Sequence, residues 1–299
     1  MYIPATYDQL TITQPALVVV VGETAGGKSA LGMEIAKRFN GEIICADSVT
    51  VYRGFDIGSA KPSKADQAMI THHLLDVANA AEPFTVAEFK KLAEQAIASI
   101  TSKGKLPILV GGSGLYVDSV LYDYQFNSAP NTSERDVLNT MSLSELRSLA
   151  VKRRLDITRV DTANPRRLIR LIETNGEQST RSKMRINTCV VGLKVDPATL
   201  KSQVEKRVAA MLEVGLENEV EKLSALYKWD CESMKSVGYR EWRYYFAGEA
   251  SLSETAAQIC VSTMQLAKKQ RTWFKRNNSI QWVSDPSSAV EIITTFLNK

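Results

Sequence analysis

The sequence predicts an α/β protein: a three-layer core around a parallel sheet, with an inserted all-helical domain and C-terminal helices. Three observations predict it. A continuous β-branched run near the N-terminus is broken by a glycine-rich turn that leads into a helical repeat. Strand-like and helix-like segments then alternate to about residue 122. Past that point charged, helix-patterned segments take over, before one more apolar β-branched run. Such alternation is what a sheet buried on both faces by covering helices requires.

Residues 17–21 form the first strand, because five consecutive apolar residues suit a strand with no solvent face. Residues 22–27 break it, and Leu31, Ile35 and Phe39 recur at helical spacing from Lys28 onward. Residues 42–46 are a second strand ending at Asp47-Ser48, and 73–77 a third. Residues 84–100 read as an alanine-rich helix, and 105–110 as a fourth strand running into Gly111-Gly112-Ser113-Gly114. A polar, proline-containing turn is expected at 127–131, followed by helices at 134–141, 144–155 and 165–175. Residues 188–195 return to a strand pattern, and 200–226 and 253–276 to long amphipathic helices. The implied organisation is a core at 1–122, a helical insertion at 123–186, and the rest of the core with the C-terminal helices at 187–299.

Composition narrows the class. With 44% hydrophobic and 23% charged residues in 299, the chain is neither disordered nor collagen-like, and it is long enough to bury a sizeable core. Its longest apolar stretch, 16–21, is far below the roughly 20 residues needed to span a bilayer. The N-terminus carries no signal or transit pattern, so a cytoplasmic location and no membrane partner are expected. Cys45, Cys189, Cys231 and Cys260 form no Cys-x-x-Cys pair, which argues for free thiols rather than a zinc site or disulfides. The net charge of +4 hides a polarised chain. Residues 131–186 hold 12 Lys/Arg against 7 Asp/Glu, and 264–276 hold five basic residues and no acid, which leaves the remainder at −6. Two basic stretches on an otherwise acidic chain point to a polyanionic partner.

Gly22-Glu23-Thr24-Ala25-Gly26-Gly27-Lys28-Ser29 matches G-x-x-x-x-G-K-[ST] between a strand and a helix. Backbone N–H groups in such a loop converge on a phosphate, the helix N-terminus adds its dipole, and Lys28 reaches the outer phosphate. The Ser29 hydroxyl suits Mg²⁺. The core is therefore P-loop NTPase-like. The motif alone leaves ATPase, GTPase, kinase and diphosphate-using transferase open, and it allows ATP as a nucleotide ligand. The fourth strand ends in glycines and Ser113 instead of the carboxylate a P-loop ATPase places there. Asp47 ends the second strand, so in a parallel sheet it faces the same crevice as the loop, where it suits a general base.

Taken together, these residues resemble the tRNA dimethylallyltransferase (tRNA isopentenyltransferase) family, in its bacterial form without a zinc-finger extension. The resemblance rests on the loop and on the stretch from Asp47-Ser48-Val49-Thr50 to Lys61-Pro62. It rests also on His72-His73-Leu74-Leu75-Asp76, Gly111-Gly112-Ser113-Gly114-Leu115-Tyr116, Asn164-Pro165-Arg166-Arg167-Leu168-Ile169-Arg170, Val237-Gly238-Tyr239-Arg240-Glu241 and Gln265 through Phe274. It implies transfer of the dimethylallyl group of dimethylallyl diphosphate to N6 of the adenine at position 37, just 3′ of the anticodon, in tRNAs reading codons that begin with U. Asp47 would accept the N6 proton, and Ser113 would contact the nucleotide. Gly22, Glu23, Thr24, Ala25, Gly26, Gly27, Lys28 and Ser29, with Mg²⁺, would hold the diphosphate, and Arg240 would lie near it. Ser48, Val49, Thr50, Arg135, Arg166, Arg167, Leu168, Ile169, Arg170, Lys268, Lys269 and Arg271 would grip the tRNA anticodon stem-loop. A monomer is expected.

This chain departs from the family pattern at four positions: Glu23 for proline, Thr50 for glutamine, Ser113 for threonine and Met264 for arginine. A small-molecule kinase, a prenyltransferase acting on free AMP or ADP, and a nucleotide-gated RNA-binding module share parts of this pattern, but the first two have less need of two basic surfaces. His72 and His73 read as packing or hydrogen-bonding groups, and Trp273 and Phe274 as core.

Overall fold

The computed structural model describes residues 14–82, 84–126, 132–177 and 180–299, so the turn expected at 127–131 lies outside the described residues. Two compact units emerge: Met1–Leu121 with Arg185–Lys299, and Tyr122–Met184.

The first unit begins β1 (Leu17–Gly22), α1 (Lys28–Arg38), β2 (Gly41–Ala46), α2 (Lys64–Met69), β3 (His72–His73), α3 (Val86–Ser102), β4 (Leu106–Gly111) and α4 (Gly114–Leu121). The second unit contributes α5 (Thr132–Thr140), α6 (Leu143–Lys152) and α7 (Pro165–Glu173). The chain then returns with β5 (Thr188–Leu193), α8 (Pro197–Glu213), α9 (Leu216–Leu226), α10 (Trp242–Phe246), α11 (Leu252–Phe274), β6 (Gln281–Val283) and α12 (Pro286–Leu297).

All six strands are parallel, in the order β3-β2-β4-β1-β5-β6. From β1 the chain steps over β4 to reach β2, moves out to β3 at the edge, and then comes back the other way to β4, β5 and β6. Right-handed crossovers turn that reversal into opposite faces. Val18, Val20, Ile43, Cys45, Ile108 and Val110 pack with Leu31 and Ile35 of α1 and with Val290 and Ile293 of α12. The alternate residues Val19, Val21, Ile44 and Leu109 are fully buried and point to the other face, where α3 and α11 lie against the sheet. The reversal puts a crevice between the carboxyl ends of β1 and β4, where ligands of open α/β sheets bind.

Three expectations are corrected. The third strand is two residues long, because Leu74 and Asp76 adopt positive φ (64° and 57°), which ends pairing with β2. The helix expected over 200–226 is two helices, because Gly215 takes φ 100° between them, a left-handed conformation that glycine adopts without a Cβ clash. Residues 194–195 lie beyond β5. Five elements carried no signal read from the sequence: α2, α4, α10, β6 and α12.

In the helical unit, α6 starts on a Ser142–Glu145 capping box and α7 on an Asn164 cap with Pro165 in the first turn. Its core is formed by Leu138, Leu146, Ala150, Leu168, Ile169, Leu171 and Ile172. No helix among the described residues is long and apolar enough to cross a membrane, and all four cysteines are free.

Candidate active site

The carboxyl ends of β1, β2 and β4 surround a cavity of about 420 Å³. Thr24, Ala25, Gly26, Gly27, Lys28 and Ser29 line it, together with Asp47 and Thr50. Gly27 caps α1 at φ 88° with no side chain competing for the first helical N–H groups, so these remain available to an anion. Lys28 donates from Nζ to the Glu23 carbonyl oxygen at 2.6 Å. Burial, and then the positive charge of Arg207, push the Lys28 ammonium down to about 8, against the opposing pull of Asp47 and Glu23.

Asp47 sits one residue past β2. Its Oδ1 accepts the Val49 N–H at 2.8 Å and the Thr50 N–H at 3.3 Å, an Asx turn that aims the carboxylate. Ser113 follows β4. Its N–H donates to the Ala46 carbonyl (3.2 Å) and its Oγ accepts the Ser48 N–H (3.0 Å), so its own O–H is left to donate elsewhere. The strand ends are thus stitched to one another. Gly111 permits the stitching: a Cβ there would collide with the Ala46 carbonyl. Thr50 is buried, lines the cavity, and its hydroxyl has no hydrogen-bond partner among the described residues.

Sequence reasoning missed two groups. Arg207, from α8, lines the cavity and donates from Nη1 to Thr24 Oγ1 at 3.4 Å; burial pulls its pKa down and Asp47 opposes that. Gln270, from α11, lines it too and accepts the Thr24 N–H at 2.7 Å. Gln270 stands in a quoted motif, where only its charged neighbours drew attention. Arg207 had no signal, being one basic residue on an amphipathic helix. Neither Lys28 nor Arg207 has a salt-bridging carboxylate among the described residues. Two half-buried cations, with Asp47 as a nearby charge but no salt-bridging carboxylate among the described residues, make a site that an oxyanion ligand completes.

Several expected residues lie elsewhere. Arg240 is held by Glu241 at 2.9 Å and lines a second cavity of about 370 Å³ with Lys235, Arg243 and Gln265, which shares no residue with the first. Arg271 donates from Nε and Nη2 to the two oxygens of the Glu23 carboxylate. In the helical unit, Leu168 and Ile169 are core residues, so their side chains do not face a ligand. Arg135 and Arg170 converge on the buried Glu173 (2.9 and 3.7 Å). Arg166 and Arg167 are exposed there, and Lys268 and Lys269 are exposed on α11. Phe274 is buried, as expected of a core residue, whereas Trp273 is half-buried and donates its indole N–H to Asp118 at 2.9 Å.

Ser29 is exposed on the cavity, and among the described residues no group of three or more His, Cys, Asp or Glu is placed to hold a metal. One hydroxyl beside an anion cradle fits Mg²⁺, which keeps several waters and takes its remaining oxygens from substrate phosphates.

Comparisons with known proteins agree on one family. Residues 50–277 match the model of a family described as IPP transferase. A protein of Anoxybacillus flavithermus called tRNA dimethylallyltransferase is 39% identical, over 89% of each chain. The crystal structure of a full-length tRNA isopentenylpyrophosphate transferase from Bacillus halodurans superposes with a TM-score of 0.73 at 32% identity, covering 95% of this chain and 96% of that one. A eukaryotic dimethylallyltransferase solved while acting on tRNA has the same fold, with a TM-score of 0.79 at 23% identity over 92% of this chain and 75% of its own.

Proposed function

The chain belongs to the IPP transferase family, and we propose that it moves the dimethylallyl group of dimethylallyl diphosphate to N6 of adenine 37 in tRNAs reading codons that begin with U. The observation that carries this reading is one cavity lined by two half-buried cations, Lys28 and Arg207, that have no salt-bridging carboxylate among the described residues, and by a carboxylate, Asp47, whose Oδ1 is anchored by two backbone N–H groups.

The diphosphate sits on the loop N–H groups between Lys28 and Arg207. Adenine leaves its stack to reach the crevice, and the Ser113 hydroxyl donates to the nucleotide. The N6 lone pair forms a bond to C1 of the dimethylallyl group as the C1–O bond breaks. The electron pair departs on the diphosphate, whose growing charge Lys28 and Arg207 stabilise without reorganisation. Asp47 takes the N6 proton. The Ser29 hydroxyl would hold Mg²⁺, which would supply Lewis-acid stabilisation of the leaving group. Arg166, Arg167, Lys268 and Lys269 supply exposed positive charge for the anticodon stem-loop. A monomer and a cytoplasmic location go with this reading.

The test offers labelled dimethylallyl diphosphate to the protein with unmodified tRNA, with AMP, and with ATP plus candidate metabolites in parallel. Label is expected in tRNA at an adenine 3′ of the anticodon. Transfer to AMP alone, or ATP-dependent phosphorylation, would overturn the reading.

A further inference from the structure

Glu23 is an anion inside an anion-binding loop, at a position where the family pattern has proline. Its side chain is 7% exposed, and Arg271 of α11 grips both carboxylate oxygens. The preceding helix residue, Gln270, accepts the N–H of the following loop residue, Thr24. Two consecutive residues of one helix thus hold two consecutive residues of the loop. The Glu23 carbonyl in turn accepts from Lys28 Nζ and from the Gly26 N–H (3.1 Å).

We propose that the Glu23–Arg271 pair is a clamp that positions the phosphate loop, and with it the Lys28 ammonium, while cancelling a charge that would repel the ligand. Both are positioning residues. Arg271 sets the Glu23 side chain, the Glu23 main chain sets Lys28, and Lys28 meets the anion. The clamp supplies through a side chain the loop restraint that a proline ring supplies through the backbone. It rests on the diphosphate reading above and removes Arg271 from the tRNA-facing set.

The test measures inorganic diphosphate binding to the intact chain in Mg²⁺ buffer without tRNA, for the wild type, Glu23→Gln, Arg271→Gln and the double variant. Arg271→Gln strands a buried carboxylate beside the ligand and weakens binding by about ten-fold, whereas Glu23→Gln weakens it by about three-fold or less. The double variant, with neither charge stranded, returns to within about three-fold of the wild type. In turnover assays Arg271→Gln raises the KM for dimethylallyl diphosphate and keeps kcat and the tRNA Kd within about two-fold. Loss of tRNA affinity with diphosphate binding intact would overturn the clamp. Wild-type protein that binds no diphosphate would overturn the functional reading instead. The clamp would then be judged by thermal unfolding of the same four proteins: non-additive shifts support it, and additive shifts overturn it.

Discussion

At the amino ends of β2, β3 and β4, the Glu42 carboxylate accepts from His73 (2.7 Å), Lys105 (2.9 Å) and Lys103 (3.2 Å). At the carboxyl ends of β1, β2 and β4, Lys28 and Arg207 face a cavity with no ion-pair partner among the described residues. The two ends of the same sheet therefore hold charge in two ways. Burial alone would raise Glu42, yet its three donors hold it down at about 2. Lys28, lacking such company, is driven down to about 8. A self-completed cluster supports the fold; an incomplete one waits for the group that completes it.

The contrast can be broken or sharpened in four steps. Asp47→Asn removes the proton acceptor and leaves the cations in place, so kcat falls by about 10²–10⁴ while diphosphate binding is kept, as single-turnover and calorimetric measurements would read. Arg207→Gln removes one unpaired cation and a charge-assisted hydrogen bond, and diphosphate binding weakens by about 30-fold. Without that neighbouring positive charge the Lys28 pKa rises, so the alkaline loss of binding moves to higher pH.

That loss is the third prediction. The anion binds the ammonium form, so wild-type affinity is full below about pH 8 and declines above it by up to about ten-fold per unit. Lys28→Arg flattens the profile, and the difference between the two curves isolates the lysine. The fourth concerns the completed cluster. The folded Glu42 carboxyl lies at about 2, below its ordinary 4.5, so its contribution is present above pH 4.5 and is lost on the way down to 2. Glu42→Gln lowers stability at neutral pH by about 2 kcal/mol. The gap to wild type closes across that acid window in denaturant melts, with diphosphate affinity unchanged.

The loop, Asp47 and Ser113 were legible because each is a short local pattern at a strand end, and a parallel sheet brings strand ends together wherever they fall in the chain. Arg207 was not legible. It stands 183 residues from Thr24, and nothing in its surroundings separates it from other basic residues on an amphipathic helix. Arg240 stands in a specific motif, yet its place was not legible: Glu241 accepts from both the Gly238 N–H and Arg240 Nε, and Arg240 lines another cavity. Leu168 and Ile169 belong to a quoted stretch, yet helical periodicity sends them inward while Arg166 and Arg167 point out. The shortened third strand and the break at Gly215 depend on single backbone angles that apolar periodicity does not report.

Gly111 pairs with Val21 on one side and Ala46 on the other, between the strand that launches the phosphate loop and the strand that presents Asp47. Because a Cβ there meets the Ala46 carbonyl, the spacing between anion cradle and base is set by a missing carbon. The smallest edit available to evolution or to an engineer, glycine to alanine, would act as a wedge. It would push Ala46 away, loosen the Ser113 N–H bond that Ala46 accepts, and swing Asp47 off its target without altering any group that touches a ligand. Attempts to widen this site for bulkier donors therefore have their room at Thr50, whose hydroxyl is unclaimed among the described residues, and none at Gly111.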